Sequence, residues 1–266
     1  MNKKIIISII TLLLFHYSEK KSHAQQITLN MAMILEVAET NHNQTLTTKQ
    51  TNEIKNIYLE LVYYNHLLNL HYTFKSKTEK LVEIVNLKYK LGDIDQLEQI
   101  SWINKYYEIE NQTGMLESEQ LIIQNKLKMK LLTDRNIMPI ETTLFLYPID
   151  KSKKDYEDFL TYLDGYPEDS INKDTTAFLF FKQKENALLQ IVVMQNQLKH
   201  YEDFVLPMSV TYDGYANLYL ENEEIEFTEY FMYISKAFTI QKKYIDMINR
   251  YNKATLKMEL LLKQHE

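Results

Sequence analysis

Tyr89-Lys90-Leu91-Gly92-Asp93-Ile94-Asp95-Gln96-Leu97-Glu98 ends one long helix and begins another. Upstream, no glycine or proline interrupts the chain from Thr47 to Leu91, and at about 1.5 Å per residue that run makes a helix close to 68 Å long. Gly92 supplies the left-handed residue that commonly stops a helix, because it has no Cβ to clash there. Asp93 and Asp95 fall at the start of the next helix, where unpaired N–H groups and the helix dipole favour negative charge. That helix continues to about Thr133 and tolerates Gly114 at a cost of roughly 1 kcal/mol relative to alanine. Two long helices joined by so short a turn fold back as an antiparallel hairpin.

The plan occurs twice. Leu127-Lys128-Met129-Lys130-Leu131-Leu132 returns as Leu256-Lys257-Met258-Glu259-Leu260-Leu261, and the turn Gly92-Asp93-Ile94-Asp95 returns as Glu223-Glu224-Ile225-Glu226. The turns are about 131 residues apart and the closing segments about 129, the near-constant spacing of an internal duplication. The second hairpin is expected to comprise a helix from Thr176 to Leu220 and a last one from Ile225 to Lys263. Pro207 should kink or split the first of these, since it lacks an N–H and clashes with the preceding turn. Along the last helix, Phe227, Tyr230, Ile234, Ala237, Gln241, Tyr244, Ile248, Tyr251, Thr255 and Met258 alternate steps of three and four. Eight of these ten are apolar or aromatic, as a coiled-coil seam requires. Phe231, Phe238 and Ile245 form a second stripe beside it, so the helix is expected to pack on two sides. The predicted fold class is all-α: two repeated long antiparallel helical hairpins, coiled-coil-like, with little or no β structure. They would pack as an elongated four-helix bundle or as staves of an oligomeric wall.

Lys3 and Lys4, the apolar run from Ile5 to Phe15 and the small-residue ending Ser22-His23-Ala24 read as a secretory signal peptide over residues 1–24. The apolar run is too short for a transmembrane helix, which needs about 20 residues. The expected organisation is therefore signal peptide 1–24, first hairpin repeat 25–134, connector 135–175 and second hairpin repeat 176–266, in an exported chain. With no cysteine, that chain is held by packing alone. Thr28 is expected to cap a short helix reaching Asn43, with Leu29, Ala32, Leu35 and Ala38 on one face. The connector carries three of the four prolines, one extended piece from Thr142 to Tyr147, and about two helical turns from Asp155 to Leu163. Only four glycines and four prolines in 266 residues, against average usage of about 7% and 5%, agree with long unbroken helices. Beyond residue 24 there are 26 basic and 35 acidic side chains, a net charge of about −9, which argues against nucleic acid as a partner.

No His-Glu-x-x-His motif, cysteine pair or glycine-rich phosphate loop is present. His66 and His71 are five apart, a spacing that does not align two ligands on one helical face. Ser101 and Ser235 lie in helices without a His/Asp constellation. No catalytic residue, metal ligand or cofactor is assigned on these grounds. The acidic cluster Glu221, Glu223, Glu224, Glu226 and Glu229 could attract cations. It reads better as a solvated turn with favourable helix-start charge, because a helix start splays carboxylates apart. Trp102 reads as a packing residue.

The pattern resembles the TolC-type outer-membrane efflux family, especially its heavy-metal and multidrug branch. Members carry two repeats, each with a long hairpin whose tip reads like Tyr-x-x-Gly-Glu-Ile-x-x-Leu-Glu. The first tip here is Tyr89 to Glu98; the second is Leu220-Glu221-Asn222-Glu223-Glu224-Ile225-Glu226-Phe227-Thr228-Glu229, which has neither the glycine nor the leucine. The segment from Tyr251 to Leu261 is similar to the family's final helix, and Ile27 to Ala32 to its opening one. The resemblance implies that Gly92, Asp93, Ile94, Asp95, Glu223, Glu224, Ile225 and Glu226 are partner-contact tips facing a periplasmic adaptor, with an inner-membrane pump beyond it. It also implies a homotrimer, in the periplasm or on the periplasmic side of the outer membrane, with no catalysis and no cofactor. Family members add two strands per repeat to a trimeric barrel, and this sequence departs from that plan at both places. Asn43 leads almost directly into a long helix, and Asp134 to Thr176 offers only Thr142 to Tyr147, where a membrane strand needs about 9 to 11 alternating residues. Two functions follow: the channel-type component of a tripartite efflux system, or a periplasmic helical scaffold or binding protein of that descent which forms no channel.

Overall fold

The computed structural model describes residues 26–139, 175–221 and 226–263. The fold is all-α, with β1 (Gln26–Leu29), α1 (Met31–His42), α2 (Thr48–Leu91), α3 (Gln96–Leu131), β2 (Asn136–Pro139), α4 (Thr175–His200), a π segment (Tyr201–Val205), α5 (Leu206–Glu221) and α6 (Phe227–Lys263) in chain order. Residues 1–24, the Thr142–Tyr147 piece and the Asp155–Leu163 turns lie outside the described residues.

The helices between Met31 and Leu131 start and stop for local reasons. Thr47 starts α2 with a capping box, its side chain accepting from the Gln50 N–H while the Gln50 side chain reaches back to the Thr47 backbone. Gly92 stops α2 at φ +83°, and the N–H groups of Gly92 and Asp93 donate to the carbonyls of Tyr89 and Lys88. Asp95 opens α3, accepting from the Glu98 N–H at 2.8 Å. The expected cap at Thr28 is corrected. Thr28 belongs to β1, which pairs in parallel with β2, and Asn30 caps α1 by accepting from the Met33 N–H at 2.9 Å. Nothing local announces this pairing: the partner strand lies across both long helices, and Tyr58 of α2 anchors it by donating to the Leu29 carbonyl at 3.0 Å.

The helix containing Pro207 is split as expected. Within the π segment the turn widens, so that the Leu206 N–H reaches back to the Tyr201 carbonyl, five residues away, just before proline removes a donor.

α2 and α3 run antiparallel in one register. Glu53 meets Lys130, Tyr72 meets Glu117, Lys75 meets Glu110 and Asn86 meets Gln99. α6 packs on two sides. Toward α4 and α5, the Tyr201 hydroxyl donates to the Ile240 carbonyl at 3.1 Å and Tyr244 meets Glu202. Toward α2, Lys55 meets Glu259, Glu60 meets Lys253 and Tyr63 meets Asp246. In the predicted α6 stripe, eight of the ten residues are buried and Gln241 and Tyr244 are half-buried. Because α2 packs on α3 and α6, and α6 packs on α4 and α5, the helices form a layer in the order α3, α2, α6, α4–α5. Among the described residues no comparable packing joins α3 to α4 or α5, so both remain open edges.

At one end of this layer, α1 closes the core of Ile54, Tyr58, Leu61, Leu127 and Leu131 with its own Met31, Ile34 and Ala38. Its last turn also satisfies carbonyls left over at the end of α3: Asn41 donates to Leu131 O at 2.6 Å, and a His42 ring nitrogen lies 3.0 Å from Lys130 O.

Candidate functional site

The first turn, Gly92–Asp95, and the start of α6 lie together at the end opposite α1. Lys88, four residues before Gly92, places its ammonium 5.0 Å from the Phe227 ring, and Phe227 is the first residue of α6. Trp102 approaches the same ring from α3 at 6.1 Å. Of the predicted tip residues, Gly92, Asp93 and Asp95 are exposed, while Ile94 is half-buried against the core of Val85, Trp102 and Phe227. Glu223, Glu224 and Ile225 lie outside the described residues. Glu226 directly precedes α6; its side chain is exposed, and its carbonyl accepts from Glu229 and Tyr230 at 3.0 and 3.1 Å. Leu91 and Leu97 flank the first tip at 68% and 78% exposure, which makes it an apolar as well as an acidic surface. The sequence reading named the acids and missed the leucines, although their positions beside Gly92 were visible.

A second feature escaped the sequence reading. On α3, facing away from α2, Leu97, Ile100, Tyr107, Met115, Ile122, Met129 and Leu132 are exposed. Asn104, Asn111, Ser118 and Asn125 fill the remaining three- and four-residue steps, so the stripe has the spacing of a coiled-coil seam and no formal charge. The opposite edge carries a matching stripe of Leu189, Val193, Phe204, Met208, Tyr215 and Leu218, with Gln197, His200 and Thr211 between them. The α3 spacing could have been counted from the chain, but only the packing tells which of several stripes is left uncovered.

Several of the groups whose titration is shifted lie where α2 meets α6. Tyr63 is pushed above its ordinary range, first by burial and then by its hydrogen bond to Asp246. Burial also raises Tyr230 to about 12, with the Asp213 charge adding to it. His71 is held below its ordinary value by burial, and secondarily by the Lys242 charge. Trp102 is buried between Phe227 and Phe231 with the Lys105 ammonium 3.7 Å from its ring, so it packs as expected. Among the described residues, no three histidine, aspartate or glutamate side chains are grouped to hold a metal ion, and no helix is long and apolar enough to cross a membrane. No family model matches the chain, and no curated protein or solved structure does.

Proposed function

We propose that this chain is a wall component of a tripartite efflux-type conduit, with the hairpin tips as contact points for a periplasmic adaptor and copies of the chain associating edge to edge. The observation that carries this reading is the open helical layer: two apolar stripes without formal charge, one on each outer edge, with the first turn and the start of α6 at one end. A closed bundle would cover those stripes itself, whereas a wall of repeated copies would cover each α3 edge with the α4–α5 edge of the next copy, a head-to-tail contact that closes into a ring. A homotrimer is the assembly implied by the resemblance to the TolC-type family. In this role the protein positions and encloses, and its chemistry is interaction.

The second reading, a periplasmic scaffold or binding protein that forms no channel, is favoured by β1 and β2. They are four residues each and pair in parallel, whereas membrane strands need about 9 to 11 residues in an antiparallel barrel. Light scattering on the full chain separates the two readings. A trimer that dissociates to monomer in both Met115→Lys and Phe204→Lys supports the wall. A wild-type monomer that leaves outer membranes with carbonate refutes it and leaves the scaffold.

A further inference from the structure

His71 sits in the seam where α2 of the first hairpin meets α6 of the second. It is 4% exposed, its Nδ1 is buried without a hydrogen-bond partner, and its ring stands edge-on to Phe238 at 4.8 Å. Phe238 stacks on Phe74 at 4.5 Å, Phe74 meets Phe231 at 6.1 Å and Phe231 meets Trp102 at 5.6 Å. The rings therefore cross repeatedly between hairpins, ending on the only tryptophan in the chain.

The charges around this seam leave a proton at His71 unwelcome. From α6 the acting charge is Lys242, which repels it and is itself bonded to Asp246 at 3.2 Å. Asp246 also accepts from Tyr63 at 2.8 Å. The acids on other packed elements that reach α2 or α6 are engaged as well: Asp213 of α5 with Lys77, Glu110 and Glu117 of α3 with Lys75 and Tyr72, and Glu202 of the π segment with Tyr244.

We infer that the seam is a proton-released clasp: a proton taken up at His71 sets an uncompensated cation beside Phe238 and Lys242 and loosens α2 from α6. The neutral ring is preferred in the closed seam because burial penalises its charged form, and the charged ring is preferred once the seam opens to water. Closure is thus fully favoured above the ordinary histidine value of about 6.5 and weakens as pH falls below it. One linked proton moves the opening equilibrium by at most about tenfold per pH unit.

Trp102 reports the event. In the full-length protein taken from pH 8 to pH 5, its emission should shift to the red and acrylamide quenching should rise, with a midpoint below about 6.5. His71→Phe keeps a ring and cannot titrate, so it should abolish the transition, while exposed His200→Gln should keep it. A flat wild-type profile, or the same transition in His71→Phe, overturns the proposal. If His71→Phe does not fold at pH 8, the NMR titration of the wild-type His71 ring decides: a midpoint below 6.5 supports the clasp, and one at or above 6.5 overturns it.

Discussion

Replacing Glu259 by glutamine should destabilise the protein far more than replacing its partner, Lys55, by methionine. The Lys55 ammonium meets the two Glu259 oxygens at 2.7 and 3.0 Å, yet the two side chains differ in depth, at 9% and 23% exposure. Glu259→Gln removes the carboxylate charge from an ammonium held deep in the seam, and breaking such a pair typically costs about 3 to 5 kcal/mol. Partial exposure of the pair puts the expectation near the lower figure, about 3 kcal/mol. Lys55→Met keeps the apolar stem packed and leaves a carboxylate that can turn toward water, so its cost should be about 1 kcal/mol or less. The double variant Lys55→Met with Glu259→Leu replaces the pair by apolar groups and should return close to wild type. Urea unfolding followed by Trp102 fluorescence and far-ultraviolet dichroism reads the difference, with a midpoint shift on the order of 1 M for Glu259→Gln. If Lys55→Met costs as much as Glu259→Gln, the burial asymmetry does not govern the pair and the reasoning is wrong.

The two glycines of the first hairpin should respond in opposite directions. A Cβ at Gly114 would meet nothing within 4 Å in a regular helix, so Gly114→Ala should add about 0.5 to 1 kcal/mol by thermal unfolding. Gly92 also has open space but sits at φ +83°, so Gly92→Val should remove about 1 to 2 kcal/mol through backbone strain alone. Three buried or half-buried tyrosines set an alkaline limit. Tyr63, Tyr230 and Tyr244 have folded values raised above 10, so the unfolded chain loses their protons first and stability falls as pH climbs past 10. Tyrosinate absorbance and helicity should change together there, and Tyr63→Phe should soften the decline; a decline unchanged in all three Phe variants would remove their role.

Helix ends and the α6 stripe were legible because they are written in local code. Gly92 and Asp95 act through carbonyls and N–H groups within one helical turn, and the three- and four-residue spacing of α6 needs only the helix period to be read. Pro207 likewise announced a break, because its missing donor is a property of the residue. The β1–β2 pairing was not legible, since it joins residues more than 100 positions apart and depends on Tyr58 reaching Leu29. The two edge stripes were half legible. Their spacing stands in the sequence, but whether a stripe is covered depends on which helices pack, and α2 carries equally apolar stripes that are buried.

The distribution of polarity in this layer departs in two ways from what an isolated monomer would favour. Among its aromatic and aliphatic contacts the internal seam also holds buried Lys55 and His71 and the half-buried pairs Glu60–Lys253 and Tyr63–Asp246, while its outer edges hold leucine, methionine, valine and phenylalanine in water. Burying charge is weak evidence for stability, because desolvation offsets much of the attraction, and long uncharged apolar stripes on an outer face mark surfaces that acquire a cover. Both features agree with one arrangement. Edges covered by neighbouring copies would add hydrophobic stabilisation outside the seam, so that the layer could persist while the seam loosens. The ring chain from His71 to Trp102 then lies along the line on which α2 and α6 would part, so the tryptophan at its end reports the parting.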